Sequence, residues 1–338
     1  MEALTAPLPP KRRRLVREAT EASDHMDDAD GDADPREVLL EVSEDLHDAS
    51  LGMTIAAPAP SVPAPEWKGV IDRVKSAIVA IRMTGVRPFE DSPAGVWYGT
   101  GFVVSLENPQ AALILTNRHI VSTGPVHAFA TFYEHEELPA WPVYRDPIHD
   151  FGLLQFDSTK LRFTPPTSIP LSPAGLKVGA EVLVIGNDNA EKIQILPATI
   201  ARVDRNSPEY DDTNYQDENT FYAGAGSNTS GGSSGSPVID RNGSCIALNA
   251  GGANEAASAY YLPLDRAVYV LDWLRLNQGA PPMPPRGTLL TKFLFQPFDM
   301  LRRLGFTEEQ EHKTLAAGAR RASDVNGGLS AAPGAVEA

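Results

Sequence analysis

Gly231-Gly232-Ser233-Ser234-Gly235-Ser236-Pro237-Val238-Ile239 is the stretch that decides what this chain can fold into. A serine hydroxyl is a poor nucleophile near neutral pH and needs a base beside it. It also needs a tight turn whose backbone N–H groups converge on the oxyanion of a tetrahedral intermediate. Glycine permits such a turn. The Gly-x-Ser-Gly-x-Pro spacing puts Ser234 in the nucleophile's position and offers the N–H groups of Gly232 and Ser234 as an oxyanion hole. Gly/Ser-rich tracts also serve as flexible linkers and as phosphate-binding loops. This one lies between apolar β runs, which argues against a linker. A partner has to decide the rest.

Working outward, Leu113-Ile114-Leu115-Thr116-Asn117-Arg118-His119 is an apolar strand that ends in a polar step, with a histidine at its exit. A lone histidine is more often structural or superficial than a base. Of the seven, His25, His47 and His312 fall in or near poorly ordered segments, and His127, His135 and His149 have loop-like or strand-edge surroundings. Asp150 opens the next apolar strand, Phe151 to Phe156, where it can accept the histidine's Nδ1–H and fix its tautomer. Its neighbours Asp146 and Asp157 read as solvated. Asp150-Phe151-Gly152 also matches part of a kinase signature, but no Gly-rich nucleotide loop or His-Arg-Asp string accompanies it. The chain order His, Asp, Ser is that of the chymotrypsin-like class.

The surroundings agree. Short β runs are read at Ala77–Ile81, Trp97–Val104, Leu113–Thr116, Val126–Phe132, Leu153–Phe156, Glu181–Ile185, Ile193–Val203, Thr220–Ala223, Pro237–Asp240 and Ser244–Leu248. Asn242-Gly243 is a hairpin signal. Helical spacing appears at Glu66–Lys75 and Leu264–Leu276, and a short apolar patch at Val38–Leu40 is expected to form at most a transient helix. Gly (27) and Pro (29) are plentiful and aromatics are 7%, which suits a turn-rich all-β protein. Many short strands predict a sandwich or a pair of barrels. A net charge of -15 argues against general nucleic-acid binding. No apolar run is long enough to span a bilayer, and the start lacks a secretory h-region, so a soluble intracellular protein is expected. The single cysteine, Cys245, excludes an intramolecular disulfide.

Residues 1–66 read as a disordered arm, with a basic cluster at Lys11, Arg12, Arg13 and Arg14 followed by an acidic run from Asp24 to Asp34. The cluster matches a nuclear localisation signal; a solvated patch balancing the acidic run is the alternative. The ordered domain is expected over 67–280, and a disordered tail over 316–338.

Taken together, Gly99-Thr100-Gly101-Phe102, Thr116-Asn117-Arg118-His119, Asp150-Phe151-Gly152-Leu153 and Gly232-Ser233-Ser234-Gly235-Ser236-Pro237 resemble the landmarks of HtrA-family serine proteases. Tyr144-Arg145-Asp146-Pro147, Gly186-Asn187-Asp188, Arg205 to Tyr210 and Leu262 to Arg266 resemble its fungal nuclear, pro-apoptotic branch. The resemblance covers roughly residues 66–312. It implies a chymotrypsin-like double six-stranded β-barrel and a serine endopeptidase with His119, Asp150 and Ser234 as catalytic residues. It implies a nuclear location, with apoptosis or stress as the setting. Protein or peptide substrates and a nuclear import receptor are the partners expected, with no nucleic acid, membrane, cofactor or metal, and a homo-oligomer left open. Two departures stand out. Ser233 and Ser236 replace the family's usual Asn and Gly, which makes them rival nucleophiles. Residues 281–315, from Arg286-Gly287 to Gly305-Phe306, resemble the start of a PDZ domain that does not complete. A catalytically silent nuclear scaffold using the same fold is the alternative function, and a non-proteolytic esterase a third. The strand Ile246–Gly252 carries no acidic side chain, so a pocket lined by it predicts small or medium apolar P1 residues.

Overall fold

The computed structural model describes residues 65–89, 94–121, 124–133, 135–187, 193–208, 217, 219–226, 232–253, 258–277, 284–287, 290–324 and 335–337. The basic cluster Lys11 to Arg14 and the arm up to residue 64 lie outside them.

Among the described residues a short amphipathic helix, α1 (Pro65–Val74), comes first. It turns Trp67, Val70 and Val74 inward at helical spacing, all buried. Six strands follow: β1 (Ile78–Gly85), β2 (Gly95–Ser105), β3 (Ala112–Thr116), β4 (Val126–Thr131), β5 (Glu137–Arg145) and β6 (Gly152–Phe156). They close in the order β1-β2-β3-β6-β5-β4. A second set comprises β7 (Glu181–Asn187), β8 (Ile193–Arg205), β9 (Tyr222–Ala225), β10 (Pro237–Ile239), β11 (Cys245–Ala253) and β12 (Ser258–Pro263). It closes as β10-β11-β12-β9-β8-β7. Two closed six-stranded antiparallel barrels are therefore present, as the sequence predicts. Closure leaves neither barrel an unpaired strand edge.

The first barrel's strands bury both faces, Ile81, Met83, Ile114, Leu154 and Phe156 on one and Ile78, Phe102 and Leu115 on the other, none above 1% exposed. Each such side chain contributes about 1.5–3 kcal/mol by leaving water. Along β7 the burial alternates between two clusters. Val182 and Val184 join the second barrel's core, while Leu183 and Ile185 join the larger cluster that contains the first. That two-sided burial explains why β7 reads as a continuous apolar run. Helix α2 (Asp265–Leu276) packs Ala267, Val270 and Leu271 onto the same larger cluster.

Two strands differ from the sequence expectation. In β5, Pro139 and Pro142 interrupt the pattern that identifies a strand, yet Ala140 and Tyr144 turn inward and the strand pairs with both β4 and β6. β12 follows the glycines of β11 and carries only a short apolar run. After α2, the described residues include β13 (Leu294–Gln296), α3 (Phe298–Arg303) and α4 (Glu308–Asp324). A last strand, β14 (Ala335–Glu337), pairs with β13. Helix α4 runs past residue 316, where composition predicts disorder; its Ala-rich stretch has high helix propensity.

Candidate active site

The antiparallel register of β3 and β6 places Thr116 opposite Gly152. The turn leaving β3 and the turn entering β6 are therefore adjacent, and they carry His119 and Asp150. His119 Nδ1 lies 2.9 Å and 3.0 Å from the two carboxylate oxygens of Asp150. The backbone N–H of His119 donates to Asp150 Oδ1 at 3.1 Å, and the Asn117 amide donates to the Asp150 carbonyl at 2.9 Å. The Asp150 side chain is fully buried, whereas that of His119 is 32% exposed. An imidazole so held is fixed in orientation through Nδ1.

The serine segment has a different kind of support. Gly232 and Gly235 take φ of 91° and 87°, a region hostile to residues with a Cβ. The N–H of Gly235 donates to the Asn249 carbonyl at 2.8 Å, and that of Ser236 to the Ser233 carbonyl at 3.1 Å. Ser236 is wholly buried and its hydroxyl donates to the Ser233 carbonyl at 2.6 Å. Ser233 is 3% exposed, with its Oγ accepting from the Asn249 amide at 3.2 Å. Ser234 alone of the three is part-exposed. Among the described residues no acceptor is recorded for the N–H groups of Gly232 and Ser234. Both are thus left to bind something else.

Thr100, on β2, joins the two parts. Its N–H donates to the Ser234 carbonyl at 2.8 Å, and its hydroxyl lies 3.0 Å from the Gly232 carbonyl. The Thr100 hydroxyl also accepts from the Asn187 N–H at 2.9 Å. Thr116, on β3, donates its hydroxyl to the Thr100 carbonyl at 2.7 Å. The family landmark around Thr100 was visible in the sequence; its work as a connector was not.

Asp146 is not solvated. It is wholly buried, and accepts from Tyr144 Oη at 2.9 Å and from the N–H groups of Ile148 and His149 at 2.9 and 2.7 Å. Asp157 is partly exposed and caps the turn at Thr159, with 3.1 Å from its Oδ1 to that N–H. His149 is buried too, and burial pushes its pKa down to about 4. Across from it Asp217, 1% exposed, has its pKa raised to about 6 by burial, with the neighbouring Asp150 charge adding to the effect. Among the described residues no cluster of His, Cys, Asp or Glu has the makings of a metal site. Of the strand Ile246–Gly252, the residues Ile246, Ala247 and Leu248 are buried in the cores, and Asn249 is the first to touch the serine segment.

The family described as Trypsin-like peptidase domain matches residues 99–248, a span containing His119, Asp150 and Ser234. The chain is 46% identical over 254 residues to Protease Do-like 7 of Arabidopsis thaliana, covering 73% of this chain and 23% of that protein. It is 42% identical over 304 residues to Pro-apoptotic serine protease NMA111 of Pyricularia oryzae, covering 90% of this chain and 28% of that protein. The chain carries a trypsin-like peptidase domain and is similar to serine proteases of the HtrA type. Its fold matches that of a solved HtrA-type protease, an AlgW variant with tripeptide, with a TM-score of 0.53, 18% identity, and coverage of 72% of this chain and 73% of the other. The chain spans about a quarter of the length of the curated relatives it matches, 23% and 28% for the two above.

Proposed function

We propose that the chain is a serine endopeptidase in which Ser234 is the nucleophile, His119 its base and Asp150 the orienting carboxylate. The observation that carries this is the pairing of His119 Nδ1 with both oxygens of a fully buried Asp150, alongside a serine segment whose only part-exposed hydroxyl is Ser234. Ser234 Oγ attacks the scissile carbonyl while His119 Nε2 takes its proton. Asp150 stabilises the imidazolium that results. The N–H groups of Gly232 and Ser234 hold the oxyanion, and their lack of another recorded acceptor supports that role. His119 then passes the proton to the leaving amine, and water resolves the acyl-enzyme by the same steps. The burial and bonding of Ser233 and Ser236 favour Ser234 over both.

The setting we infer is the nucleus, in apoptotic or stress-linked turnover of proteins. The support is the basic cluster Lys11 to Arg14, a fit for an import receptor, and relatives named as pro-apoptotic serine proteases. A fluorophosphonate probe tests the chemistry. Wild type should be labelled at Ser234, as read by peptide mass spectrometry, and Ser234→Ala should not. Labelling that survives Ser234→Ala would overturn Ser234 as the nucleophile, and a wild type that takes no label would overturn the triad and leave the non-catalytic scaffold.

A further inference from the structure

We propose that Arg286, from the segment that follows the second barrel and α2, is a positioning residue for Asp150: its guanidinium secures the Asp146 carboxylate, and that carboxylate secures the turn leading to Asp150. The proposal rests on the triad reading above.

The contacts are specific. Arg286 Nη2 donates to Asp146 Oδ2 and, at 2.9 Å, to Tyr144 Oη. Arg286 Nη1 lies 3.3 Å from His149 Nδ1, and a neutral His149 ring can accept there. The Asp146 side chain is 0% exposed and that of Arg286 is 20% exposed. Asp146 Oδ1 in turn accepts from the backbone of Ile148 and His149 at 2.9 and 2.7 Å. Asp150 is the next residue. Two backbone anchors immediately before it therefore depend on a carboxylate that has no water to solvate it. A buried carboxylate without a cation takes up a proton or draws in water. In either state it is a poorer acceptor, and the turn is freed. Asp150 must keep both oxygens near His119 Nδ1, which tolerates displacements of only about 0.5 Å. Asp217 and Arg266 also act on His149 by charge but contribute no hydrogen bond recorded to this turn. Arg286 makes no recorded contact with His119, Asp150 or Ser234, so its action runs through Asp146. The segment after the protease barrels is thus wired to the charge-bearing end of the dyad.

The test uses the whole chain. Arg286→Gln should lower kcat on a peptide substrate about 100-fold with KM unchanged, the cost of a misplacement of the order of 1 Å. Arg286→Lys, which restores the charge without the fork, should recover part of that loss. A second readout is independent of turnover: the Nδ1–H proton of His119, bound to a carboxylate, gives a far-downfield line in a chain carrying ¹⁵N-histidine. That line should be present in wild type, lost in Arg286→Gln and retained in Arg286→Lys. A folded Arg286→Gln chain that keeps the line, or keeps wild-type kcat, overturns the proposal, as does a wild type without the line. If Arg286→Gln does not fold, Tyr144→Phe replaces it, removing only the hydroxyl shared by Arg286 and Asp146. It should lower kcat about 3- to 10-fold, the worth of one hydrogen bond; unchanged kcat and line overturn the proposal. Failure of Ser234 labelling in wild type sinks the triad reading, and the proton line then decides the positioning alone.

Discussion

The two barrels contribute to the site in unlike ways. The first supplies a pair of side chains, His119 and Asp150, set by the register of β3 against β6 and held by polar partners at 2.9 to 3.1 Å. The second supplies a backbone shape, the turn Gly232 to Ser236, held by main-chain bonds and by two glycines at positive φ. The first contribution is sensitive to the chemistry of a side chain. The second is sensitive to a single added carbon. Thr100 is where the two kinds of support meet.

The sharpest way to break the comparison is to change charge without changing shape in the first barrel. Asp150→Asn keeps the volume and should lower kcat about 10⁴-fold, because the amide favours the wrong imidazole tautomer. Thermal unfolding of the variant should stay close to wild type, and a kcat within tenfold of wild type would show that the pair is not working as a unit.

Adding one carbon to the second barrel's turn should cost somewhat less activity but more stability. A Cβ at Gly235 would sit 1.9 Å from the Thr100 carbonyl oxygen and 2.5 Å from Thr116 Oγ1. Gly235→Ala must therefore push the serine segment off β2 or leave a strained φ, at about 1–3 kcal/mol for the backbone alone. Peptide turnover should fall about 100-fold, with a lowered midpoint in urea. Wild-type values for both would mean the turn is not shaped by this contact.

The smallest effect sharpens the comparison, because it joins a first-barrel group to one beside the second. His149 has a folded pKa near 4, below the histidine value of 6.5, so between those values the unfolded chain binds more protons and acid destabilises the fold. Asp217 has a folded pKa near 6, above the aspartate value of 3.8, so between those values the folded chain binds more protons and acid favours the fold. The two slopes oppose each other from about pH 4 to 6. Asp217→Asn removes one of them, and its stability should then fall more steeply than that of wild type on acidification through that window. Parallel stability curves for the two chains, measured by urea unfolding at several pH values, would contradict the assignment.

The sequence carried the fold well because both barrels are built of short apolar runs separated by turn residues. It lost β5 because Pro139 and Pro142 erase the pattern by which a strand is recognised. The triad positions were legible through their order and spacing. Their supports were not. Asp146 looked like any acidic residue in a loop, since the cation that justifies its burial stands at position 286, far along the chain. Spacing to Pro237 favours Ser234 over Ser233 and Ser236 in the sequence, and burial separates the three in the structure. Thr100 could be quoted as part of a landmark, but nothing in one sequence says that a hydroxyl on β2 reaches Asn187 and Gly232.

The amide of Thr100 has a further use. Its hydrogen is committed to the Ser234 carbonyl, across the boundary between the halves. It can trade with deuterium only when the serine turn lets go of β2, in a local or a global opening. One backbone proton is therefore a clock for how long the two halves stay joined, and it runs without substrate or inhibitor.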